Sequence, residues 1–286
     1  MIDVGEVKRV FAHISALSPI SGHSGQKYVF TGDNRGKKVV LKLIKPNPGF
    51  EKRIEREINA VSKLRLDNIP KILDHGSAQI SNEQILFLVE EYVAGETLRA
   101  VLQKNPKQST PFALNLGLAL TGGCVKFEKS KIVHRDLKPE NIIIGGDGKV
   151  WIIDFGLARH LDLDSVTDDG PKFGVGTLGY APQEQFNNWK SQINSRADLF
   201  SIGIILYEAI IGYQPYLRGM TNQRQILDRM EREDLPKLSI YGDPRDEFSE
   251  FISLLTMRFP SRRIQTAKEA YSWLEPIYRK ILTSLQ

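Results

Sequence analysis

The sequence predicts an α+β protein with a bilobal fold, in which a small β-rich amino-terminal lobe with a leading helix and a second helix precedes a larger, mainly α-helical carboxy-terminal lobe. Two observations support this prediction. Residues 37–45 and 85–93 have the patterns of strands, whereas helical spacing of apolar residues dominates from Glu96 onward. The length of 286 residues also suits roughly two compact units. We therefore expect two compact units, the first rich in strands and the second mainly helical.

The composition is typical of a soluble globular protein. Hydrophobic residues make up 41% of the chain, which is enough for sizeable cores. The formal charge is +5, but no block of five or six basic residues occurs, so a nucleic-acid surface is not indicated. The most apolar stretch, 202–211, is shorter than the roughly 20 residues of a membrane span. Cys124 is the only cysteine and the start does not resemble a signal peptide, which predicts a cytoplasmic protein.

The amino-terminal half opens with a predicted helix over 6–17, because its apolar residues recur at helical spacing. In residues 18–30, Gly22 and Gly25 separate two strand-like runs. Small residues in such a turn let backbone N–H groups approach a phosphate closely. Residues 37–45 then alternate as a strand, and this places Lys42 on a face with apolar neighbours.

Residues 50–64 predict an amphipathic helix, with Glu57 at the edge of its apolar stripe. A Lys42–Glu57 pair about 4 Å apart would gain roughly 4 kcal/mol of Coulomb energy at an effective dielectric near 20, before desolvation is counted. The alternatives are a lysine that extends to water and a glutamate on a solvated helix face.

Two helices are predicted in the carboxy-terminal half. Residues 112–128 suit a long helix in which Cys124 is a small packing residue. Residues 196–216 suit a buried helix, and Asp198 near its start can cap backbone N–H groups.

The most informative stretch is 132–141, I-V-H-R-D-L-K-P-E-N, and Asp154 follows it in I-I-D-F-G. Five polar side chains lie close together in this stretch, and Asp154 comes eighteen residues after Asp136. This pair of motifs resembles the catalytic core of eukaryotic-type (Hanks-type) serine/threonine protein kinases. The resemblance extends from about Ile20 to about Ala270. It implies an amino-terminal lobe over 1–92 and a carboxy-terminal lobe over 93–286, which together would form one protein kinase domain.

The resemblance implies a role for each residue of these motifs. Asp136 would accept or orient the proton of a substrate hydroxyl, and Lys138, the serine/threonine-type signature, would neutralise the γ-phosphoryl group. Asn141 and Asp154 would bind Mg²⁺, or Mn²⁺ in its place. Lys42 would be aimed at the α and β phosphates of ATP, by pairing with Glu57.

The resemblance also implies an ATP site in which Ser21, His23 and Gln26 stand at the three usual glycine positions. Glu90 would lie at the back of the adenine pocket, where it competes with Glu57 for Lys42, narrows the pocket, or is satisfied by water. The residues assigned to the nucleotide are Ile20, Ser21, Gly22, His23, Ser24, Gly25, Gln26, Tyr28, Val40, Lys42, Glu91, Val93, Asn141 and Asp154.

Residues 155–183 would be the activation segment. Ser165, Thr167 and Thr177 are candidate phosphorylation sites, and Arg135 is a cation that can pair with a phosphate. The alternative is that the aspartates of this segment already supply the negative charge. The resemblance further implies that Glu184 pairs with Arg263 and that Asp198 braces the catalytic loop.

The function implied is transfer of the γ-phosphoryl group of ATP to serine and threonine hydroxyls of protein substrates, including a second copy of the chain through self-association. One alternative is a pseudokinase-like nucleotide-binding scaffold, which the altered glycine loop and Glu90 favour. A third reading is a kinase for small molecules, but such relatives tend to lack the elements seen here at 182–184 and Asp198.

Overall fold

The computed structural model describes residues 2–20, 27–45, 58, 62, 67–154, 176–189 and 191–285. Of the helix predicted over 50–64 it describes only Ile58 and Ser62, and both are helical. The chain divides into two compact units, with the boundary between Ala94 and Gly95.

The helices among the described residues are α1 Val4–Val10, α2 Leu98–Lys104, α3 Thr110–Lys129, α4 Gln183–Phe186, α5 Ser195–Ile211, α6 Gln223–Arg232, α7 Glu247–Leu255 and α8 Ala267–Leu285. The strands are β1 Ser15–Pro19, β2 Lys27–Asn34, β3 Lys37–Ile44, β4 Ile72–Ile80, β5 Glu83–Glu91, β6 Glu96–Thr97, β7 Ile142–Ile144 and β8 Val150–Ile152. Short 3₁₀ helices cover Pro139–Asn141 and Pro260–Arg262.

The amino-terminal unit is built on a five-stranded sheet in the order β1-β2-β3-β5-β4, and every neighbouring pair is antiparallel. Strand β3 is central, and its residues from Leu41 to Ile44, which include Lys42, are buried. One hydrophobic core covers this sheet, and its largest fully buried side chains include Phe30, Leu41, Leu43 and Ile80.

The leading helix is shorter than the sequence predicts. Helix α1 ends at Val10, and the last three residues of the predicted helix, 15–17, belong instead to strand β1 (Ser15–Pro19) on the edge of the sheet. Ala16 has φ 54°, which a helix cannot accommodate. A turn followed by an edge strand still buries Phe11, Ile14 and Leu17 in the core, so the apolar spacing is satisfied without a helix.

The carboxy-terminal unit is helical around α3, which packs against α5 and α8. Helix α5 also packs against α7 and is buried along nearly all its length. A small sheet of β6, β7 and β8 lies beside these helices, and the segment between α3 and β7 carries the polar motif of residues 132–141.

Helix α5 ends five residues before the predicted end at 216. Gly212 terminates it with φ 87°, in the left-handed conformation that glycine adopts without steric cost. Its N–H donates to the carbonyl of Glu208. The predicted end at 216 is wrong because the apolar pattern continues past Gly212, where the backbone ends the helix.

The prediction of an α+β protein with a β-rich amino-terminal part and a mainly helical carboxy-terminal part is confirmed. Within the described part of the chain, no helix combines the length and apolar character needed to cross a membrane.

Candidate active site

A carboxylate on helix α5, that of Asp198, holds the loop of residues 133–138. The backbone N–H groups of His134 and Arg135 each donate to one oxygen of Asp198, both at 2.8 Å. Arg135 has φ 64°, a left-handed conformation that costs energy for a residue with a side chain. The predicted bracing role of Asp198 is therefore confirmed. The cap of α5 is Asn194 instead, whose side chain accepts from the N–H of Arg196.

Burial also sets the state of His134. Burial lowers the pKa of His134, although Asp198 and Asp136 oppose the shift, so the neutral ring is favoured. Nε2 lies 3.1 Å from the carbonyl oxygen of Ile153, and Nδ1 accepts from the N–H of Asp136 at 3.3 Å. A neutral ring with its proton on Nε2 satisfies both contacts and joins the loop to Ile153, the residue that follows strand β8.

Burial likewise raises the pKa of Asp198 above its ordinary value, while His134 and the two backbone N–H groups oppose the shift. Because the backbone N–H groups of His134 and Arg135 donate to it, the buried Asp198 carboxylate stabilises this loop.

The carboxylate of Asp136 is the centre of the site. Thr177 donates its hydroxyl to Oδ1 at 2.7 Å, and Lys138 Nζ lies 3.3 Å from Oδ2. Asn141 Nδ2 lies 2.9 Å from the Asp136 carbonyl and 3.1 Å from Oδ2. Lys138 Nζ also donates to Thr177 at 3.1 Å. Three side chains thus fix a nearly buried carboxylate, which suits a group that must receive a proton in one position.

Asn141 and Asp154 are the residues expected to hold a divalent metal. Asn141 directs its amide nitrogen to Asp136, so its amide oxygen is the atom left to meet a cation. The backbone of Asn141 accepts from Ile153 N at 2.9 Å, which places Asp154 next to this contact with φ 66°. Among the residues described there is no cluster of three or more His, Cys, Asp or Glu side chains suited to a metal. Mg²⁺ needs only one or two protein oxygen ligands when phosphates supply others, so this pair fits it.

In the amino-terminal unit, Lys42 is paired with Glu90. Lys42 Nζ lies 2.5 Å from Glu90 Oε2, and the two side chains are 9% and 12% exposed. Glu90 lies directly across from Val40 in the sheet, so it shares a face with Lys42. Glu90 therefore contacts Lys42 and is not satisfied by water alone. The predicted competition with Glu57 involves a residue outside the described part of the chain, and the narrowing of the adenine pocket stays a prediction.

The remaining nucleotide residues divide into two groups. Ile20 donates its N–H to Val29, Tyr28 lies opposite Leu43, and Val93 is nearly buried after β5, which contains Glu91. The other predicted residues lie outside the described part of the chain: Ser21, Gly22, His23, Ser24, Gly25, Gln26, Glu57, Ser165 and Thr167.

The predicted pair of Glu184 and Arg263 is confirmed. Arg263 NH1 and NH2 lie 2.5 and 3.1 Å from the two carboxylate oxygens of Glu184, and neither side chain has any exposed surface. Arg263 also donates to the carbonyl oxygens of Met257, Arg196 and Arg258. This buried pair attaches helix α4, which follows Thr177, to the loop that precedes helix α8.

Sequence reasoning missed two features near the site. Gln185 donates to the carbonyl of Arg135 at 2.9 Å and so supports the loop from α4. Arg99 on α2 contacts Glu140, Glu208 and Tyr180. A signal for the second was present, because Glu208 is a charged residue within the apolar run 202–211.

Substituting Asp198 by asparagine is expected to lower kcat and to reduce the free energy of unfolding by about 1–3 kcal/mol. Asparagine can accept at only one oxygen, so one buried N–H of the loop loses its acceptor. Denaturant unfolding and initial rates measure the two effects. Asp228→Asn on the exposed face of α6 is the matched control. Equal behaviour of the two variants would contradict the bracing role.

The comparisons of this chain with known proteins agree with the geometry of the site. A family model described as protein kinase domain matches residues 21–273. "Probable serine/threonine-protein kinase CPE1738" of Clostridium perfringens is 28% identical over 262 residues, 90% of this chain and 37% of that protein. A similarly named protein of Streptomyces coelicolor is 29% identical over 88% of this chain and 38% of its own length. "Serine/threonine-protein kinase PknA" of Mycobacterium tuberculosis is 32% identical over 68% of this chain and 46% of its own length. The chain spans less than half the length of these curated relatives.

Proposed function

This chain belongs to the protein kinase family, and from that premise we propose that it transfers the γ-phosphoryl group of ATP to serine and threonine hydroxyls of protein substrates. The observation that carries the proposal is the Asp136 carboxylate, held by Thr177, Lys138 and Asn141. The names of the relatives, which are serine/threonine kinases, support the choice of hydroxyl.

In the proposed mechanism, the substrate hydroxyl approaches Asp136, which orients it and accepts its proton. As the hydroxyl oxygen bonds to the γ-phosphorus, the bond from that phosphorus to the β,γ-bridging oxygen breaks and ADP leaves. Lys138 lies beside this carboxylate and supplies positive charge as charge develops on the transferred group. Asn141 and Asp154 would hold Mg²⁺ (or Mn²⁺), which when bound neutralises phosphate charge.

On the nucleotide side, Lys42 would contact the α and β phosphates, and the backbone around Glu91 and Val93 would receive the adenine. The Lys42 ammonium is held by Glu90, and Glu57 remains a proposed second partner. The glycine-containing loop 21–26 would cover the phosphates.

We also propose that the chain phosphorylates itself, through transient association of two copies, at Ser165, Thr167 or Thr177. Arg135 would pair with a phosphate on this segment. The cytoplasm is the proposed location, on the basis of the single cysteine. Cys124 is buried and burial raises the pKa of its thiol, which supports a packing role.

The purified full chain should incorporate label from γ-labelled ATP into itself and into a general protein substrate such as casein. Incorporation should stop when EDTA removes the divalent metal and should be restored by Mg²⁺ or Mn²⁺. Mass spectrometry then tests whether phosphate is on Ser165, Thr167 or Thr177. A chain that binds ATP but incorporates no label, with either metal, would point to the scaffold alternative and contradict the proposal.

Substituting Lys42 by methionine is expected to lower kcat/KM for ATP by roughly 30-fold or more, because truncating a desolvated charged contact costs about 2–5 kcal/mol. Steady-state kinetics with varied ATP measures this. Lys45→Met is the control, since Lys45 pairs with Glu83 on an exposed surface at the end of the same strand. If both variants lose the same activity, Lys42 has no special role towards ATP.

A further inference from the structure

The hydroxyl of Thr177, which donates to Asp136 Oδ1 at 2.7 Å, is presented by a short turn of its own segment. The N–H groups of Tyr180 and Ala181 both donate to the Thr177 carbonyl oxygen at 3.0 Å. These two bonds close a turn over residues 177–181. The position of the Thr177 side chain at the Asp136 carboxylate therefore depends on the backbone conformation of this turn.

Gly179 determines the shape of the turn. Its φ of 90° lies in the left-handed region, which glycine adopts without steric cost. A side chain would also lack space, because a Cβ at this position would lie 2.5 Å from Gln214 Nε2. Glycine has the greatest conformational freedom of any residue, so the turn needs an outside contact to hold Gly179 in this one conformation.

The side chain of Gln214 supplies that contact. Its Nε2 donates to the Gly179 carbonyl oxygen at 2.8 Å. Its Oε1 accepts from the N–H groups of Tyr216 and Leu217 at 2.7 and 2.8 Å. Because both of those groups are donors, they require the amide oxygen on their side and leave the amide nitrogen to face Gly179. Gln214 is 8% exposed, so water does not readily replace these bonds.

The next carbonyl of the turn is anchored on helix α5. Ser201 Oγ donates to the Tyr180 carbonyl oxygen at 3.0 Å, and the Tyr180 hydroxyl donates to Glu208. Helix α5 is buried along nearly all its length, which makes it a rigid support. Gln214 follows shortly after the end of this helix, so it joins the turn to the same support at a second point, the Gly179 carbonyl.

Building on the proposed function, we propose that Gln214 is a positioning residue for phosphoryl transfer. It fixes the turn at Gly179 and thereby the place of Thr177. Thr177 holds Oδ1 of Asp136, the group that meets the substrate hydroxyl in the proposed mechanism. The second oxygen of this carboxylate has contacts of its own that do not involve the turn, so loss of Gln214 lowers the rate without abolishing it.

The variant Gln214→Glu separates the two functions of the side chain. A carboxylate still accepts from the N–H groups of Tyr216 and Leu217, but it cannot donate to the Gly179 carbonyl and repels it. The variant should lower kcat by about tenfold, the rate equivalent of roughly one lost hydrogen bond. Initial rates with saturating γ-labelled ATP and casein measure this. The Kd of a fluorescent ATP analogue should not change, because the proposed adenine and α- and β-phosphate contacts belong to the amino-terminal unit.

The matched control is Gln225→Glu on helix α6. Gln225 Oε1 also accepts two hydrogen bonds, both from Thr221, and the residue is exposed. This variant should keep the kcat of the unaltered chain. Gly179→Ala is a second route to the same loss of rate, since the added Cβ displaces Gln214 Nε2. It decides the matter if thermal unfolding shows that Gln214→Glu is not folded.

A double variant tests whether Gln214 acts through Thr177. Thr177→Val removes the hydroxyl that contacts Asp136 and nearly keeps the shape of the side chain. In that background Gln214→Glu should cause no further loss of kcat, because the turn no longer positions a hydroxyl. A merely structural role of Gln214 would instead lower kcat by the same factor in both backgrounds. That result would overturn the proposal, and so would a kcat for Gln214→Glu equal to that of Gln225→Glu.

Hydrogen exchange tests the positioning without any turnover. The amides of Tyr180 and Ala181 close the turn by donating to Thr177. In Gln214→Glu these two amides should exchange about tenfold faster than in the unaltered chain or in Gln225→Glu, because opening of the turn becomes easier by roughly one hydrogen bond. Unchanged exchange would overturn the proposal whether or not the protein is active. Faster exchange in a chain that transfers no label would contradict the proposed function alone.

Discussion

Replacing Asp136 by asparagine should lower kcat by about 10²–10⁴-fold, the range that a positioned general base contributes. Asparagine has nearly the same shape and can still accept the hydroxyl of Thr177. It cannot accept a proton from a substrate, and it offers no charge to Lys138 Nζ at 3.3 Å. Incorporation of label from γ-labelled ATP, at saturating ATP and substrate, measures the loss.

The substitution should leave the fold in place, because the neighbouring loop is held through backbone groups by Asp198. The melting temperature of Asp136→Asn should therefore lie close to that of the unaltered chain. Asp147→Asn, in the exposed turn between β7 and β8, serves as the control for an aspartate change without effect on rate. Retention of most of the activity by Asp136→Asn would rule out its assignment as base.

Replacing Arg263 by methionine is expected to reduce the free energy of unfolding by about 3–5 kcal/mol, because Glu184 is then buried without a counter-charge. Both side chains have no exposed surface and lie 2.5 Å apart. For a unit of this size each kcal/mol shifts the melting temperature by about 2–4 °C, so the expected fall is roughly 6–20 °C. Calorimetry or denaturant unfolding measures it.

Two further variants test whether the buried charge causes the loss of stability. Glu184→Leu combined with Arg263→Met should recover part of the stability, since no unpaired charge remains. Recovery is incomplete because the carbonyl oxygens of Met257 and Arg258 also lose a donor. Lys280→Met, in a partly exposed pair with Glu247, should cost less than about 1 kcal/mol. A loss at Arg263 no larger than this would contradict the argument.

The sequence allowed the central part of the site to be predicted because its residues are close together in the chain. Asp136, Lys138 and Asn141 fall within six positions, so one loop brings them together whatever surrounds it. The partners of Asp198, and of Glu184, came from the family resemblance rather than from local patterns. The contacts of Asp198 and of Glu184 join segments that are distant in the sequence, and hydrophobic periodicity does not reveal such contacts.

Other features depend on tertiary packing and were missed or misplaced. Arg99 meets partners 41, 81 and 109 residues away, and nothing in its own helix indicates them. The predicted helix over 6–17 failed because pairing with β2 satisfies the backbone of residues 15–19 while the same apolar side chains stay buried. Local propensity is a weak prior where a sheet edge offers hydrogen bonds.

The hold of Asp198 on His134 and Arg135 also has a consequence during biosynthesis. The two donors are made 64 and 63 residues before their acceptor. A nascent chain released after residue 138 but before residue 198 contains every residue of the loop, yet it lacks the carboxylate that fixes the left-handed turn at Arg135. The centre must therefore be completed after helix α5 has left the ribosome, so a prematurely terminated product should be inert although its motif is whole.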